Sequence, residues 1–444
     1  MNRECDVLVA GGGTGGVVAA LAAARCGSRT TLIESKGYTG GIAVEGGTAL
    51  HSFYNLWKAF PGVEKRQLVK GIPQEIIDRL AAIGGTCGHA EMDPGYDYDS
   101  VATVIDTELY KLATMQMLEE AGVKMCLNTM LVDAKTDGGV IEKAVCESRS
   151  GREEIEARMF IDCTGIGDLA ARAGAPHVEL NDHPVVNSFG VGGVSLEGYR
   201  QFLEGNGALK QLALAPSGPR QGKIVRLDAD PGKLPKEYIE RAREIGFAQV
   251  TTSIHDNYFM FIKINYKMAD SPTDRDAVAL AELELRKRQY KAIELIREFI
   301  PGCQNAFIAR TSPTLTIRRA RTIECDYDIQ LDDILSGRHF DDDIMAYGFH
   351  DCAPRLKIAN GGDYGIPYRA LLAKNMQNLL VTGMMITTAW EAHMSTRNTV
   401  SCMGQGQGAG TAAALCARQG IATRDLPATD LREQLLRDNV YLGD

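Results

Sequence analysis

The sequence predicts an α/β fold in which a domain built on a parallel sheet carries a second, inserted α+β domain. Apolar strand patterns run into glycine turns and then helices at residues 6–34, 159–175 and 378–420. Between about residues 179 and 352 the pattern changes to alternating strands and a long amphipathic helix. The chain has 444 residues, enough for two to three domains.

The first glycine turn has the most informative flanks. Residues 7–10 are an apolar run long enough for one buried strand, and residues 17–25 are an alanine-rich helix pattern. Between them Gly11, Gly13 and Gly16 have the G-x-G-x-x-G spacing. A second apolar run, residues 30–33, ends at the acidic Glu34.

This spacing is typical of a dinucleotide site. Gly11 permits a tight turn, Gly13 lets backbone approach a pyrophosphate, and Gly16 lets the helix lie close to the strand. The helix N-terminus offers N–H groups to the phosphates, and Glu34 is placed to bind a ribose. The turn alone leaves NAD and FAD equally open.

Composition excludes several classes of protein. The net charge is −9, which argues against a nucleic-acid or anionic-membrane partner. The 11 cysteines include no C-x-x-C pair, and Cys87 with His89 is too little for a metal site, so we expect no metal. The sequence shows neither a targeting pattern nor an 18-residue apolar run, so we expect a soluble, cytoplasmic protein.

The remaining patterns complete the predicted order of elements. Helices are expected over residues 68–84, 106–122, 277–300 and 401–420, and strands over 123–127, 131–135, 140–147, 259–269 and 378–385. Residues 35–47 are rich in glycine and suit backbone lying against a flat ligand. The helix that starts near residues 401–404 can direct its N–H groups at an anionic ligand atom.

Taken together, these segments resemble the glutathione-reductase-type flavoproteins, in the FAD-dependent oxidoreductase branch related to fumarate reductase/succinate dehydrogenase flavoprotein subunits. The resemblance covers nearly the whole chain. It is carried by DVLVAGGGTGGVVAALAAA with LIES, EEAGVKMCLNTMLVDA, FIDCTGIGDLAARAGA, IRRARTIECDYDIQLDDI, IPYRALLAKNMQNLLVTG and STRNTVSCMGQGQGAGTAAAL.

The resemblance implies a Rossmann-like FAD-binding domain of the glutathione-reductase type (residues 1–180 and 353–444) with an inserted α+β substrate or cap domain (residues 181–352). It implies FAD contacts along the chain at Gly11, Gly13, Thr14, Gly15, Gly16, Glu34, Ser35, Lys36, Gly40, Gly41, Ile42, Val132, Thr164, Gly165, Asp168, Val400 and Gly404. Two departures bear on the flavin contacts. Met384 follows Gly383 where relatives often have Arg, and Ile166 replaces the first Asp of the family's D-G-D segment.

Catalysis by a flavin oxidoreductase needs groups that orient the substrate and move a proton. The candidates are His51, Arg318, Arg321, His350, His393 and Arg397, and we select Arg397, His350 and His393. Arg397 matches the Arg of the family's C-terminal segment and could hold a carboxylate or polarise a carbonyl.

Three functions stay open. The first is an oxidoreductase that transfers a hydride between flavin N5 and a small polar organic substrate. The second is an alcohol or amine oxidase that uses oxygen or a carrier, and the third is an RNA-modifying protein or a non-catalytic flavin scaffold. Since residues 179–352 show no second G-x-G-x-x-G, electrons are expected from the substrate or from an electron-transfer partner. The sequence also leaves open a homo-oligomer.

Overall fold

Two large β-sheets with helices packed around them form the protein, which confirms the predicted α/β fold. The structure is a computed structural model. It describes residues 2–46, 49–50, 55–56, 66–93, 101–216, 218–247, 250–348 and 358–443.

The strands of this described part range from two to twelve residues. In chain order they are β1 (Asn2–Ala10), β2 (Thr30–Ile33), β3 (Ala49–Leu50), β4 (Asn55–Leu56), β5 (Arg66–Gln67), β6 (Thr86–Asp93), β7 (Val101–Ile105), β8 (Lys124–Cys126), β9 (Met130–Asp137), β10 (Val140–Ser148), β11 (Gly151–Asp162), β12 (His177–Glu179), β13 (Val185–Gly192), β14 (Leu209–Leu214), β15 (Ile224–Ala229), β16 (Val250–Thr252), β17 (Tyr258–Tyr266), β18 (Phe307–Thr311), β19 (Arg321–Ile323), β20 (Asp343–Tyr347), β21 (Tyr364–Pro367) and β22 (Leu379–Val381).

The helices include two long ones, of 25 and 21 residues. In chain order they are α1 (Thr14–Arg25), α2 (Ile42–Glu45), α3 (Ile72–Ala82), α4 (Thr107–Glu120), α5 (Asp168–Arg172), α6 (Leu196–Gly205), α7 (Lys236–Ile245), α8 (Arg275–Phe299), α9 (Leu331–Leu335), α10 (Trp390–Thr396), α11 (Thr399–Gln419) and α12 (Ala428–Arg437). Short 3₁₀ turns lie at Gly218–Arg220, Pro231–Lys233, Tyr368–Leu371 and Thr423–Asp425.

The first sheet has seven strands and carries the glycine turns. Its order is β8-β2-β1-β11-β10-β9, and β22 pairs with the end of β11. The strands β8, β2, β1, β11 and β22 are parallel, so their carboxyl ends lie at one edge. The antiparallel strands β9 and β10 are the meander predicted over residues 131–147.

The second sheet has nine strands in the order β18-β13-β17-β16-β15-β14-β6-β7-β3, with antiparallel pairs. Helices α6, α7 and α8 share a buried apolar cluster with this sheet. Strands β3, β6 and β7 come from residues before 181, and the division of the chain at residues 180/181 and 352/353 stays a prediction.

Local signals set the ends of several helices. The side chain of Asp106 caps α4 by accepting from the backbone N–H groups of Glu108 (2.9 Å) and Leu109 (3.1 Å). Helix α11 begins at Thr399, two residues before the predicted start at 401. Its N-cap is Asn398, so residues 401–404 already lie within the helix.

Helices α1 and α11 pack backbone against backbone, which joins the two ends of the chain. A Cβ atom at Gly406 would lie 2.2 Å from the carbonyl oxygen of Gly15, and one at Gly410 would lie 2.1 Å from that of Ala19. On the other side of α1, a Cβ at Gly16 would lie 1.8 Å from the carbonyl oxygen of Gly11. Only glycine fits these contacts. A side chain at Gly406 or Gly410 would push the two helices apart, and one at Gly16 would push α1 away from the glycine turn.

We expect Gly410→Ala to lower the free energy of unfolding by about 1–3 kcal/mol, since the added methyl overpacks the contact with Ala19. Gly205→Ala is the matched control, because a Cβ at that helical position meets nothing within 4 Å. The control should be neutral or stabilise the protein by up to about 1 kcal/mol. Thermal unfolding measures both variants, and equal melting temperatures would contradict the close packing.

An ion-pair cluster with two buried carboxylates and a partly exposed histidine holds β20 and β21 beneath α11. The His339 ring lies between two carboxylates, with Nδ1 3.0 Å from Asp343 and Nε2 3.1 Å from Asp363. Asp363 also accepts from Arg66 at 2.8 Å. The hydrogen bonds to Asp343 and Asp363 raise the pKa of His339 from 6.5 to about 9.

This raised pKa predicts a pH-dependent stability. Because the folded-state pKa lies above the unfolded value, the stabilisation is complete below pH 6.5 and is lost as the pH rises through about 9. His339→Gln should therefore destabilise the protein more at about pH 6 than at about pH 9.5. Denaturant unfolding at the two values measures the difference, and an equal loss at both would show that His339 is uncharged in the native protein.

Candidate active site

A cavity of about 800 Å³ lies at the carboxyl ends of the parallel strands β1, β2, β11 and β22. This is the edge at which open α/β sheets bind their ligands. Its wall consists of Gly11, Gly13, Thr14, Gly15, Ile33, Glu34, Ser35, Lys36, Gly41, Ile42, Glu45, Thr129, Met130, Leu131, Cys163, Thr164, Gly165, Ile166, Asp168, Arg172, Thr273, Arg275, Thr314, Leu315, Thr316, Ile317, Thr382, Gly383, Met384, Arg397, Thr399 and Cys402.

The first glycine turn presents bare backbone to the cavity. Gly11 has a positive φ of 98°, and a Cβ there would lie 2.4 Å from the carbonyl oxygen of Cys163. Gly13, the N-cap of α1, has a φ of −69°, which any residue can adopt. A Cβ there would meet nothing within 4 Å. Gly13 has no side-chain cap hydrogen bond, and the first turn of α1 carries no acidic residue. The first N–H groups of α1 are therefore directed at the cavity as anion donors.

Glu34 follows β2 and shapes the loop beside the turn. Its Oε2 accepts from the N–H of Gly12 at 2.7 Å, and its Oε1 accepts from the N–H of Lys36 at 2.9 Å. The carboxylate is thus held in one orientation at the cavity wall. Because a carboxylate has about four lone-pair sites, it keeps capacity for further donors such as ribose hydroxyls.

The second glycine turn is organised by a buried carboxylate. Asp162, at the end of β11, accepts from the N–H (2.9 Å) and hydroxyl (2.7 Å) of Thr164 and from the N–H of Ala170 (2.8 Å). Burial raises the pKa of Asp162, although these three hydrogen bonds oppose the shift. The Thr164 hydroxyl in turn accepts from the N–H of Asp168 at 2.9 Å. Thr164 is therefore fixed at the cavity wall.

The opposite end of the cavity is formed by the turn after β22 and the junction of α10 and α11. Gly383 has a positive φ of 93°, and its N–H donates to the buried Gln405 side chain at 2.7 Å. Strands β2 and β22 are separated by β1 and β11 in the sheet. Three strand spacings place Glu34 and the turn after β22 about 14 Å apart. The cavity thus runs along the ends of all four strands.

The second sheet and its helices close the cavity from the other side. Thr273 lies just before α8, Arg275 is the first residue of α8, and residues 314–317 follow β18. Glu282 of α8 accepts from the N–H of Leu315 at 2.7 Å, which holds this segment in place. Arg310 of β18 links the second sheet to α4 and α2. It donates to Thr107 at 2.6 Å and to the carbonyl oxygen of Glu45 at 3.2 Å.

Two thiols at the cavity are uncharged. Burial raises the pKa of both Cys163 and Cys402 to about 12. The Cys163 thiol lies 3.3 Å from the Thr382 hydroxyl, and the Cys402 thiol donates to the carbonyl oxygen of Arg397 at 3.3 Å. A thiol is a poor nucleophile when protonated, so these groups serve as packing and hydrogen-bonding groups.

His393 lies behind the cavity wall among cationic groups. Burial, followed by the positive charges of Arg397 and Arg319, lowers the pKa of its imidazole to about 2. The ring is therefore neutral at physiological pH. Its Nε2 lies 3.2 Å from the carbonyl oxygen of Arg318, which can only accept, so Nε2 carries the hydrogen. The ring of His183, whose pKa burial lowers, lies 5.6 Å away.

The structure brings most of the sequence-predicted residues to one cavity. Those at its wall are Gly11, Gly13, Thr14, Gly15, Glu34, Ser35, Lys36, Gly41, Ile42, Thr164, Gly165, Asp168 and Arg397. Their individual contacts with a ligand stay predictions. His350 lies outside the described residues.

Five of the predicted FAD-binding residues lie behind the wall and support it. Gly16 contacts Gly11, and the N–H of Gly40 donates to the carbonyl oxygen of Gly12 at 2.8 Å. The carbonyl oxygen of Val132 accepts from Arg172 at 2.9 Å. Val400 and Gly404 are buried in α11, where a Cβ at Gly404 would meet the side chain of Met345 at 2.5 Å.

Sequence reasoning missed several residues of the wall. On α11 the wall residues are Thr399 and Cys402, which share a helix face because they are three residues apart. Asn is a common N-cap residue, so Asn398 was the sequence signal that could have placed the start of α11 at Thr399. Thr129, Met130 and Leu131 take the place expected of Val132. No local pattern identified Thr273, Arg275 or residues 314–317, because tertiary packing brings them to the cavity.

The residues present fit FAD. The cavity offers a bare-backbone cradle at an uncapped helix N-terminus for the pyrophosphate and an oriented carboxylate for a ribose. Its volume of about 800 Å³ also suits a large cofactor. In the described part of the chain no group of three or more His, Cys, Asp or Glu side chains could hold a metal ion.

Comparison with protein families identifies the class. The model of the FAD-dependent oxidoreductase family matches residues 6–435, so the chain belongs to this family. It is an enzyme, and its cofactor is FAD. The coarser part of the expected resemblance is thereby confirmed. A comparison with curated proteins gave no match. Among the helices of the described residues, none combines the length and apolar character needed to cross a membrane.

Solved structures with a similar fold are distant in sequence. A geranylgeranyl bacteriochlorophyll reductase-like protein from Thermoplasma acidophilum is 13% identical, with a TM-score of 0.49 over 99% of this chain and 85% of that one. The flavin-dependent brominase Bmp2 is 12% identical (TM-score 0.47; 98% and 84%). The p-nitrophenol 4-monooxygenase PnpA from Pseudomonas putida DLL-E4 is also 12% identical (TM-score 0.44; 98% and 86%). At these distances their activities say nothing about the substrate of this chain.

Adding a methyl group at Gly13 tests FAD binding independently of the stability of the protein. Because a Cβ there meets no protein atom within 4 Å, Gly13→Ala should leave the stability of the FAD-free protein unchanged. The same methyl projects into the space assigned to the pyrophosphate, so FAD affinity should fall by about tenfold or more. FAD titration and thermal unfolding of the FAD-free protein measure the two effects. Unchanged affinity would place the phosphates elsewhere.

Proposed function

We propose that the protein transfers a hydride between N5 of its bound flavin and a small polar organic substrate, as a reductase or dehydrogenase. The finer resemblance to fumarate reductase flavoprotein subunits, carried by residues 159–175 and 395–415, is part of this proposal. FAD supplies the hydride chemistry when it is bound. The protein's part is to bind and orient the substrate and to manage its charge and protons.

The observation that carries the proposal is the position of Arg397. Arg397 lines the same cavity as both glycine turns and as Gly383 and Met384. The guanidinium group is a planar donor that binds carboxylates and polarises carbonyl groups. An activated C=C bond next to such a group can accept a hydride, and in the reverse direction a C–H bond next to it can give one up.

The backbone around Arg397 is held from both sides. Arg397 is the C-cap of α10, and its N–H donates to the carbonyl oxygen of His393 at 3.1 Å. Its own carbonyl oxygen accepts from the Cys402 thiol at 3.3 Å. A fixed backbone limits the positions that the guanidinium can take, which favours a role in orienting substrate.

The charges around this position favour an anionic or strongly polar substrate. The positive charge of Arg397 helps to lower the pKa values of both His183 and His393. Arg319, which lies nearby, is neutralised by Asp182 at 2.9 Å. Arg397 lines the cavity wall, and a guanidinium group there attracts a substrate carboxylate or carbonyl.

His393 suits a positioning role in this proposal. A histidine whose pKa is about 2 does not carry a transferable proton as imidazolium near neutral pH. Its neutral ring is held by the Arg318 carbonyl oxygen, and His393 belongs to the last turn of α10, which ends at Arg397. The catalytic assignment of His393 stays a prediction, and so does that of His350.

Arg397→Ala should retain FAD and lower kcat/KM by about 10- to 100-fold, the range expected for loss of one charged hydrogen-bonding group. Arg397→Lys should recover part of the loss, because it keeps the charge but not the planar fork. Arg418→Ala, at the exposed far end of α11, is the matched control and should have full activity. Full activity of Arg397→Ala would refute its role.

The substrate class is tested with the wild-type holoprotein. A panel of small carboxylates and carbonyl compounds, and of alcohols and amines without those groups, is mixed anaerobically with the enzyme while the flavin absorbance is recorded. The proposal expects bleaching by the saturated carboxylate or carbonyl compounds, or recolouring of dithionite-reduced enzyme by the unsaturated ones. Reaction only with the alcohols or amines would favour an oxidase instead.

A further inference from the structure

The outer face of α8 carries an apolar stripe that is exposed to solvent. Leu280, Leu283 and Tyr290 are 69%, 55% and 70% exposed. These three belong to the large exposed hydrophobic side chains of the described residues, and all three lie on α8. Since the opposite face of α8 is buried against the second sheet, the stripe is not needed for folding.

The exposed positions have the spacing of a helix–helix seam. They recur at alternating intervals of four and three residues over the length of α8. In order they are Asp276, Leu280, Leu283, Lys287, Tyr290, Glu294 and Arg297, and every one is exposed. Three of these seven side chains are large and apolar and four are charged, so an apolar contact along this face is confined to Leu280, Leu283 and Tyr290, with charged side chains beside it.

The seam is complementary to itself in an antiparallel arrangement. When two copies of α8 run in opposite directions about a two-fold axis between residues 281 and 282, Leu280 faces Leu283 of the second copy. In the same register Asp276 faces Lys287 of the second copy. The two-fold axis repeats both contacts, which gives four leucines at the centre with an ion pair on either side.

We propose that the protein forms a two-fold homodimer through antiparallel pairing of α8, with Leu280 and Leu283 at its centre and Asp276–Lys287 ion pairs at its rim. The charge complementarity favours a second copy of this chain as the partner, because Asp276, which also pairs with the exposed Arg275 at 3.0 Å, faces Lys287 of the second copy. A contact made by one helix from each copy is at the small end of specific interfaces, so the dimer is expected in the micromolar range, about 1–50 µM.

The dimer face lies on the back of the cavity wall. Side chains on the flank of α8 hold the segment that lines the cavity, through Glu282 to Leu315 (2.7 Å) and Arg286 to Thr311 (3.0 Å). The proposed contact centres on Leu280 and Leu283 and does not use either of these bonds. The proposal is independent of the substrate and of Arg397.

The test is the mass of the FAD-bound protein in solution, measured by sedimentation equilibrium from about 1 to about 100 µM, a range that spans the expected dissociation constant. The wild type should change from monomer to dimer over this range. Leu283→Glu should be a monomer throughout, because it buries a charge at the centre of the contact. Leu436→Glu, on the exposed face of α12, is the matched control and should dimerise like the wild type.

A charge exchange tests the partner and the register. Lys287→Asp should weaken the dimer by about tenfold or more, because it sets two carboxylates opposite each other. Adding Asp276→Lys should restore the affinity, since the pair is then reversed. Thermal unfolding and FAD content of each variant confirm that it is folded.

Three results would overturn the proposal. The first is a wild-type monomer at about 100 µM, well above the expected dissociation constant. The second is a dimer that Leu283→Glu leaves intact, and the third is a folded double exchange that does not regain the affinity lost in Lys287→Asp.

Discussion

The contact between α1 and α11 is the constraint on which the rest of the structure depends. Gly15 and Ala19 of α1 meet Gly406 and Gly410 of α11 with no side chain between them. This packing brings residues near 400 against the first glycine turn, although almost the whole chain separates them in sequence. The cavity therefore has one wall from each end of the chain, and its position at the sheet edge follows from the parallel order of β2, β1, β11 and β22.

Around this contact the polar groups of the site are held by bonds that leave little freedom. Glu34 is fixed by the N–H groups of Gly12 and Lys36, and Thr164 by the buried Asp162. Gln405 fixes the turn at Gly383. Such preorganisation reduces the cost of binding a long, flexible cofactor, because the protein does not need to order these groups when FAD arrives.

Much of the fold and of the cofactor wall could be predicted from sequence, because their signals are local. The strand–glycine–helix pattern at residues 6–34 identified β1, α1 and β2, and Glu34 follows β2 as expected. The prediction was less accurate where it depended on which face of a helix a residue occupies. In α11 the wall residues are Thr399 and Cys402, because the helix begins at Thr399, whereas the predicted Val400 and Gly404 face the interior.

The rest of the wall could not be predicted, because it depends on how two distant parts of the chain meet. Thr273, Arg275 and residues 314–317 reach the cavity only through the packing of α8 and the second sheet. The same packing decides which face of α8 stays exposed. The substrate also depends on these long-range contacts, so the sequence motifs that identify FAD do not identify the substrate.

A crystal structure of the protein with FAD bound tests the assigned cofactor site most directly. We expect the pyrophosphate at the N-terminus of α1 over Gly13, a ribose at Glu34, and the isoalloxazine ring at the end of the cavity formed by Gly383, Met384 and Arg397. FAD bound away from the carboxyl ends of β1 and β2, or bound in reverse with its flavin at Glu34, would contradict this assignment.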